Sequence, residues 1–239
     1  VIIGEEIYSF TELPSTNRYA IENLSRLPSG TIVWALKQTA GYGRFNRPWH
    51  SDDGGLWFSI VFKPRLLKDT GYYTKLISVG IAELLCELDC DAMIKWPNDV
   101  YVKGKKIAGI LTESVIEGER LLGVVTGVGL NVKNTIPPEL SKIAISLKEV
   151  TSKDYDVSFI LKRLLNKLEN LRRKYLQVRM KKYFTRKWKK YLMHREGDKI
   201  RLSLPNGEKI TGTIEKINSE YLLLKTDNKT IKIMAGEIL

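Results

Sequence analysis

Apolar positions recur along this chain in two periods, and the switches between them mark its elements. Behind the helix-start signal Ser15-Thr16-Asn17, Tyr19, Ala20, Ile21, Leu24 and Leu27 repeat at helical spacing until Pro28-Ser29-Gly30 ends the run. Continuous apolar stretches at 31–36 and 56–62 predict buried strands, with a glycine-rich basic loop at 41–55 between them. Leu76, Ile77, Ile81, Leu84 and Leu85 predict a helix over 74–88, and a short strand at 92–96 stops at Pro97. Lys103-Gly104-Lys105 and Glu117-Gly118-Glu119 separate strands expected at 100–102, 107–116 and 121–132. Links that short make neighbouring strands antiparallel, which excludes a purely doubly wound parallel sheet.

Leu161, Leu164, Leu168, Leu171, Tyr175 and Val178 then mark one long helix from Val157, continuing loosely to Trp188 and Leu192. After His194 the pattern shortens to strands at 199–204, 209–217, 221–225 and 230–234, separated by turn residues such as Pro205-Asn206-Gly207. So many short strands in so little chain predict a small β-barrel, and the boundary falls near 193. The expected fold class is α+β: a mixed, mainly antiparallel sheet flanked by helices over 1–193, and a small barrel over 194–239.

Composition narrows the functional classes. With 43% hydrophobic and 28% charged residues over 239 positions, the chain suits a packed soluble domain. No apolar run approaches the roughly 18 residues of a membrane-spanning helix, and VIIGEEIYSF carries no signal-peptide pattern. Cys86 and Cys90 are too few for a disulfide framework and have no metal-ligand set around them, so a reducing, cytoplasmic setting is expected. The formal charge is +12, yet fourteen basic residues and the single acid Glu169 fall between Lys162 and Arg195, leaving the remainder near neutrality. The excess is a local feature, a solvated helix face or a steering surface, and does not by itself make a nucleic-acid binder. Gln38 and Gln177 are the only glutamines beside abundant lysine, a lean toward a heat-adapted source.

The candidate chemistry sits in three places. QTAGYGRFNRPWHS, from Gln38 to Ser51, offers glycines at Gly41 and Gly43 for close backbone approach, Arg44 and Arg47 for an anion, and Trp49 as a flat face. Alone, such a loop fits a solvated surface equally well. Lys95, in Lys95-Trp96-Pro97-Asn98-Asp99, ends an apolar strand and is placed either to point into a cleft or to snorkel past a core edge. Lys106-Ile107-Ala108-Gly109-Ile110-Leu111 and Gly127-Val128-Gly129-Leu130-Asn131 put small residues along strands. Ser15, Thr16, Asn17 and Gln38 are compact neutral hydrogen-bonding groups, although Ser15-Thr16 also serves as a helix cap. Trp57 reads as core, and His50 and His194 have no evident catalytic partner.

In order and spacing, STN at Ser15, the Gly41–Trp49 loop, GGLWFSI at Gly54, KWPND at Lys95, KIAGIL at Lys106 and GVGLN at Gly127 resemble biotin protein ligase. The resemblance covers nearly the whole chain, because that family also ends in a small β-barrel. It implies an enzyme that joins biotin to ATP as biotinyl-5′-adenylate and pyrophosphate. Biotin then passes to a lysine of a biotin carboxyl carrier domain. Lys95 and Arg44 would be catalytic, Lys95 electrostatically, by neutralising the carboxylate and the α-phosphate.

The resemblance assigns biotin to Ser15, Thr16, Asn17 and Gln38, to the loop residues Gly41, Tyr42, Gly43 and Arg44, and to Lys95, Gly109 and Ile110. It assigns the nucleotide to Arg44, Arg47, Trp49, Lys95, Asn98 and Asn131. Magnesium would arrive with the triphosphate, with no metal site built from protein alone. Neither DNA nor membrane is an expected partner, and a homodimer is permitted.

Two positions depart from the family's usual GRGRxGRxW loop: Tyr42 replaces an arginine and Asn46 a glycine. The first removes a charge that would help retain the adenylate; the second is eased because asparagine tolerates positive φ. With fourteen residues before Ser15 there is no room for a helix-turn-helix domain, so a ligase-only member, archaeal-like, is expected. The rivals are a lipoate–protein ligase and a nucleic-acid-binding module using the basic helix over 162–195 and the barrel.

Overall fold

The computed structural model describes residues 2–64, 70–176 and 181–239. Strands β1 (Ile7–Leu13), β2 (Ile32–Gln38), β3 (Leu56–Phe62), β4 (Ala92–Lys95), β5 (Asp99–Val102), β6 (Lys105–Glu117) and β7 (Arg120–Leu130) form one sheet. Their order is β1-β2-β3-β7-β6-β5-β4, and every neighbouring pair is antiparallel except β1 with β2. Helix α1 (Thr16–Glu22) covers part of one face, while α2 (Thr70–Cys86) and α4 (Val157–Leu176) lie on the other. Between β7 and α4 comes α3 (Leu147–Thr151), and α5 (Lys181–Tyr191) follows α4 and touches α2 and β4.

The sequence of β3, LWFSIVF, explains this layering. All seven residues are buried, and alternate ones point to opposite faces. Leu56, Phe58, Ile60 and Phe62 join Leu76, Ile77 and Leu164 in the main core. On the other face Val61 packs with Ala20, Leu24 and Leu27 from and after α1, and Ser59 meets Thr16 and Asn17.

The last 41 or so residues fold as a five-stranded antiparallel sheet: β8 (Lys199–Ser203), β9 (Lys209–Ile217), β10 (Leu222–Lys225), β11 (Thr230–Ile233) and β12 (Glu237–Ile238). Its order is β11-β10-β9-β8-β12, so β11 and β12 are its edges. Leu202, Ile217, Leu222 and Ile238 belong to the same buried cluster as the main core, and the Trp96 indole donates to the Asn218 carbonyl at 2.9 Å.

Two elements differ from the sequence expectation. β1 has no predicted counterpart because it is a parallel edge strand with mostly exposed side chains and no apolar period. α1 stops at Asn23, whose N–H turns back to Ile21 and Tyr19, although Leu24 and Leu27 stay buried beyond it. The stripe expected from Val157 is helical over α4 and over α5, and residues 177–180 between them lie outside the described residues. Leu161, Leu164, Leu168 and Leu171 of the expected stripe are buried, while Val178 and the side chain of Tyr175 lie outside the described residues.

Candidate active site

The face of the sheet that carries Ser59 lacks side chains at three neighbouring positions. Gly127 and Gly129 of β7 face it, with Gly109 of β6 beside them, in the register Trp57↔Gly129↔Gly109 and Ser59↔Gly127↔Leu111. What occupies that space shows why glycine is needed. A Cβ on Gly127 would lie 2.3 Å from Asn17 Oδ1, and one on Gly129 would lie 2.4 Å from Trp49 Nε1. The 38–51 loop folds over this glycine floor and encloses a cavity of about 400 Å³.

One end of the cavity is neutral and polar. Ser15 caps α1 by accepting from the Arg18 N–H at 3.4 Å. Thr16 donates its N–H and its hydroxyl to Gln38 Oε1, at 2.8 and 3.1 Å, and Gln38 Nε2 donates to Ser51 Oγ at 2.8 Å. Asn17 Nδ2 donates to Glu113 Oε2 at 2.6 Å, and Ser59 Oγ lies 2.6 Å from Asn17 Oδ1. Tyr42 donates to the same Glu113 oxygen at 3.0 Å. Burial and then the charge of Glu113 push the Tyr42 phenol up to about 12.

The other end is cationic. Lys95, Lys106, Arg44 and Arg47 line it, with Asp99 and Glu237 among them. Lys106 pairs with Asp99 at 2.9 Å and lies over the Trp49 ring. Arg47 pairs with Glu237 at 2.6 Å, and Arg44 donates to the Gly236 carbonyl at 2.9 Å. Among the described residues no carboxylate lies within 4 Å of Lys95, whose ammonium sits 5.1 Å from the Tyr101 ring centre. Burial, with Arg47 adding to it, lowers Arg44. Burial would raise Glu237, but Arg47, Lys95 and Lys106 together hold it below the usual carboxylate value. Burial, and then the charge of Lys95, lower His194. Among the described residues, Trp49 Nε1 and Asp99 Oδ1 are buried in cavity-lining residues without a hydrogen-bond partner.

Of the residues singled out from sequence, Ser15, Thr16, Asn17, Gln38, Tyr42 and Arg44 converge on the cavity, as do Arg47, Trp49, Lys95 and Gly109. Gly41 instead borders an open depression on the far side of the loop, because Ser51 Oγ and the Trp49 carbonyl press against it. The Gly43 N–H lines the cavity wall but is used within the loop, donating to the Arg47 carbonyl at 2.9 Å. Ile110 offers only backbone, since its side chain belongs to the main core. Asn98 donates to the Ile110 carbonyl, and Asn131 is held by Ile145 and Asn134, so both brace the floor. Trp57 is fully buried, its N–H given to the Asp52 carbonyl. Asn46 and its neighbour Phe45 have φ of 55° and 57°, so the turn that glycine would ease is made by two non-glycine residues.

Sequence reasoning passed over Ser59, Glu113 and Glu237. Ser59 had a signal, being the one polar residue in LWFSIVF. Glu237 had none, because its partner Arg47 is 190 residues away. Among the described residues, six of the fourteen basic residues between Lys162 and Arg195 pair with acids: Arg163 and Lys167 with Glu87, Lys187 with Glu83, Arg172 and Arg173 with Glu169, and Lys189 with Glu196.

A mixed sheet with a glycine floor, a neutral polar end and a cationic end suits an elongated ligand that is neutral and hydrogen-bonding at one end and anionic at the other. Comparison with known proteins gives this class its family. Residues 9–131 match the biotin/lipoate A/B protein ligase family. The bifunctional ligase/repressor BirA of Bacillus subtilis is 34% identical over 247 residues, spanning 99% of this chain and 74% of that protein. The biotin–[acetyl-CoA-carboxylase] ligase of Mycobacterium tuberculosis is 27% identical over 219 residues, 87% of this chain and 78% of that one. Among solved structures, the biotin protein ligase from Aquifex aeolicus in complex with biotin and ATP superposes with a TM-score of 0.82. That pair shares 28% identity over 98% of each chain. The chain belongs to the biotin/lipoate A/B protein ligase family.

Proposed function

We propose that this ligase activates biotin as biotinyl-5′-adenylate and transfers it to a lysine of a biotin carboxyl carrier domain. The observation that carries the reading is Lys95, a cation without a carboxylate partner within 4 Å among the described residues, on the wall of a cavity whose other end is neutral. In the first step the biotin carboxylate attacks the α-phosphorus of ATP and pyrophosphate leaves. Two anions must approach, and Lys95 with Arg44 neutralises both as charge builds on the phosphoryl oxygens. Magnesium enters with the triphosphate as part of that substrate. In the second step the neutral amine of the acceptor lysine attacks the acyl carbonyl, AMP leaves, and an amide forms.

Thr16, Asn17 and Ser59 supply the donors and acceptors a ureido ring requires, and the glycine floor admits its flat, apolar body. Trp49 offers its face at the nucleotide end. Residues 1–193 then supply most of the site, and 194–239 contribute the Gly236–Glu237 clasp on the loop.

The test is biotin-dependent ATP–pyrophosphate exchange, with lipoate as the comparison. Exchange with biotin only, reduced about 10²- to 10³-fold in Lys95→Ala, is expected. Exchange with lipoate alone would move the chain to the sister activity, and exchange unaffected by Lys95→Ala would remove the lysine from the mechanism.

A further inference from the structure

The Tyr42–Glu113 contact is not explained by ligand binding alone. Tyr42 stands where the resembling family carries an arginine, and Glu113 lies on β6 beyond the quoted motifs. One oxygen, Glu113 Oε2, accepts from Tyr42 at 3.0 Å and from Asn17 at 2.6 Å. A carboxylate can only accept, so it dictates which way the Asn17 amide faces: Nδ2 toward Glu113, Oδ1 toward Ser59. The donor–acceptor pattern of the neutral end therefore starts at Glu113.

The loop that Tyr42 begins needs holding. Phe45 and Asn46 are both in the left-handed region, and Phe45 is half exposed, so its own packing does not keep the turn. The far end of the loop is held by Arg44 on Gly236 and Arg47 on Glu237. Its near end is held by Tyr42 on Glu113. The phenol, pushed up to about 12, stays protonated and donates throughout the physiological range.

We propose that Tyr42 and Glu113 are positioning residues for biotin, a latch that closes the 41–49 loop and, through the same carboxylate oxygen, sets the orientation of Asn17 in the pocket. The ligand named here rests on the functional reading above; the latch itself does not need the ligand to be observed.

Hydrogen exchange followed by mass spectrometry on the full chain, without ligand, tests the latch directly. Tyr42→Phe and Glu113→Gln keep shape and remove the bond or its charge. Each is expected to speed exchange of the 41–49 amides about 10-fold, the size of one hydrogen bond to a charged group. The double variant is expected to be no faster than either single one, because both break the same link. Amides of β3 and β7, read in the same run, report that the fold is intact. Unaltered loop exchange in the single variants, or effects that multiply in the double variant, would overturn the proposal.

The second readout is ATP–pyrophosphate exchange. The biotin KM is expected to rise about 10-fold in both single variants, more than kcat falls, whereas a general loss of stability would lower active enzyme and leave KM in place. A biotin KM equal to wild type in both would overturn the orienting role. Loop coupling in a wild-type protein that showed no biotin-dependent exchange would sink the biotin reading and leave the latch; normal exchange with an uncoupled loop would do the reverse.

Discussion

The two faces of the seven-stranded sheet are built from the same strands and have opposite contents. On one, Phe58, Ile60, Val128 and Leu130 interlock with Leu76, Ile77 and Leu164 in the main core. On the other, the residues between them in sequence are Ser59, Gly127 and Gly129, and the space above holds Asn17, Trp49 and the cavity. Period two lets one strand serve both purposes, since replacing alternate residues by glycine empties one face without thinning the other. Stability should therefore be concentrated on one side and chemistry on the other.

The largest effect is expected on the packed face. Phe58→Ala removes a fully buried ring from β3 and is expected to cost about 3–5 kcal/mol in urea unfolding. The folded fraction should retain a near wild-type ratio of kcat to KM in pyrophosphate exchange. A specific collapse of that ratio with little loss of stability would show that the two faces are not separable.

The cavity floor supplies the complementary substitution. In Gly129→Ala the new Cβ would lie 2.4 Å from Trp49 Nε1, and the ring also lies over Gly109, where a Cβ would be 3.1 Å from it. The indole must move into the cavity. A loss of about 100-fold in kcat/KM for ATP is expected, about 2.7 kcal/mol of transition-state binding, with unfolding changed far less than in Phe58→Ala. Equal losses of stability in both variants would mean that the glycines serve packing alone.

This contrast also explains what could be read in the sequence. The packed face was legible because burial leaves a period: 56–62 was marked as a strand to the residue, and Trp57 as core. Ser15 as a cap and the small residues of KIAGIL and GVGLN were legible for the same local reason. Contacts that depend on closure of the whole fold were not. Glu237 reaches Arg47, and Gly236 reaches Arg44, across some 190 residues of intervening chain. Nor does residue type alone tell how a glycine is used: a Cβ on Gly41 would meet Ser51 and Trp49, while Gly43 lines the cavity with its amide given to the Arg47 carbonyl. β1 has no period to read, since its side chains face mostly water.

Charge on the packed side should show in acid. Glu169 accepts from Arg172 at 2.8 Å, from Arg173 at 2.7 Å and from the Ile3 N–H at 3.2 Å. Chiefly through Arg172, these hold its carboxyl at about 2 against an ordinary 4.5. A depressed folded value means that the stabilisation is fully present above about pH 4.5 and is lost as pH falls toward 2. Because Arg173 is well exposed, the contribution is discounted to about 2 kcal/mol. Urea unfolding at pH 6 and pH 3 should show a steeper acid loss for wild type than for Glu169→Gln; identical slopes would mean the carboxyl is not paired in solution.

The smallest effect is expected where the same helix meets water. Arg163 pairs with Glu87 at 2.9 Å, both side chains being roughly two-fifths exposed. Arg163→Ala should cost under about 1 kcal/mol, a shift in Tm of less than about 4 °C, and the cost should shrink further in 1 M salt. Pyrophosphate exchange should be unaffected, because α4 lies behind the sheet from the cavity. The comparison with Glu169 is between two carboxylates that pair with arginines of α4: Glu169 on the helix itself, enclosed and also bonded to a backbone N–H, and Glu87 just past α2, open to solvent. If Arg163→Ala proved as costly as Glu169→Gln, the basic face of α4 would have to be holding α2 in place through Glu87. The excess charge would then be part of the packed side's architecture, and its contribution would have to appear as a loss of α2 protection in hydrogen exchange.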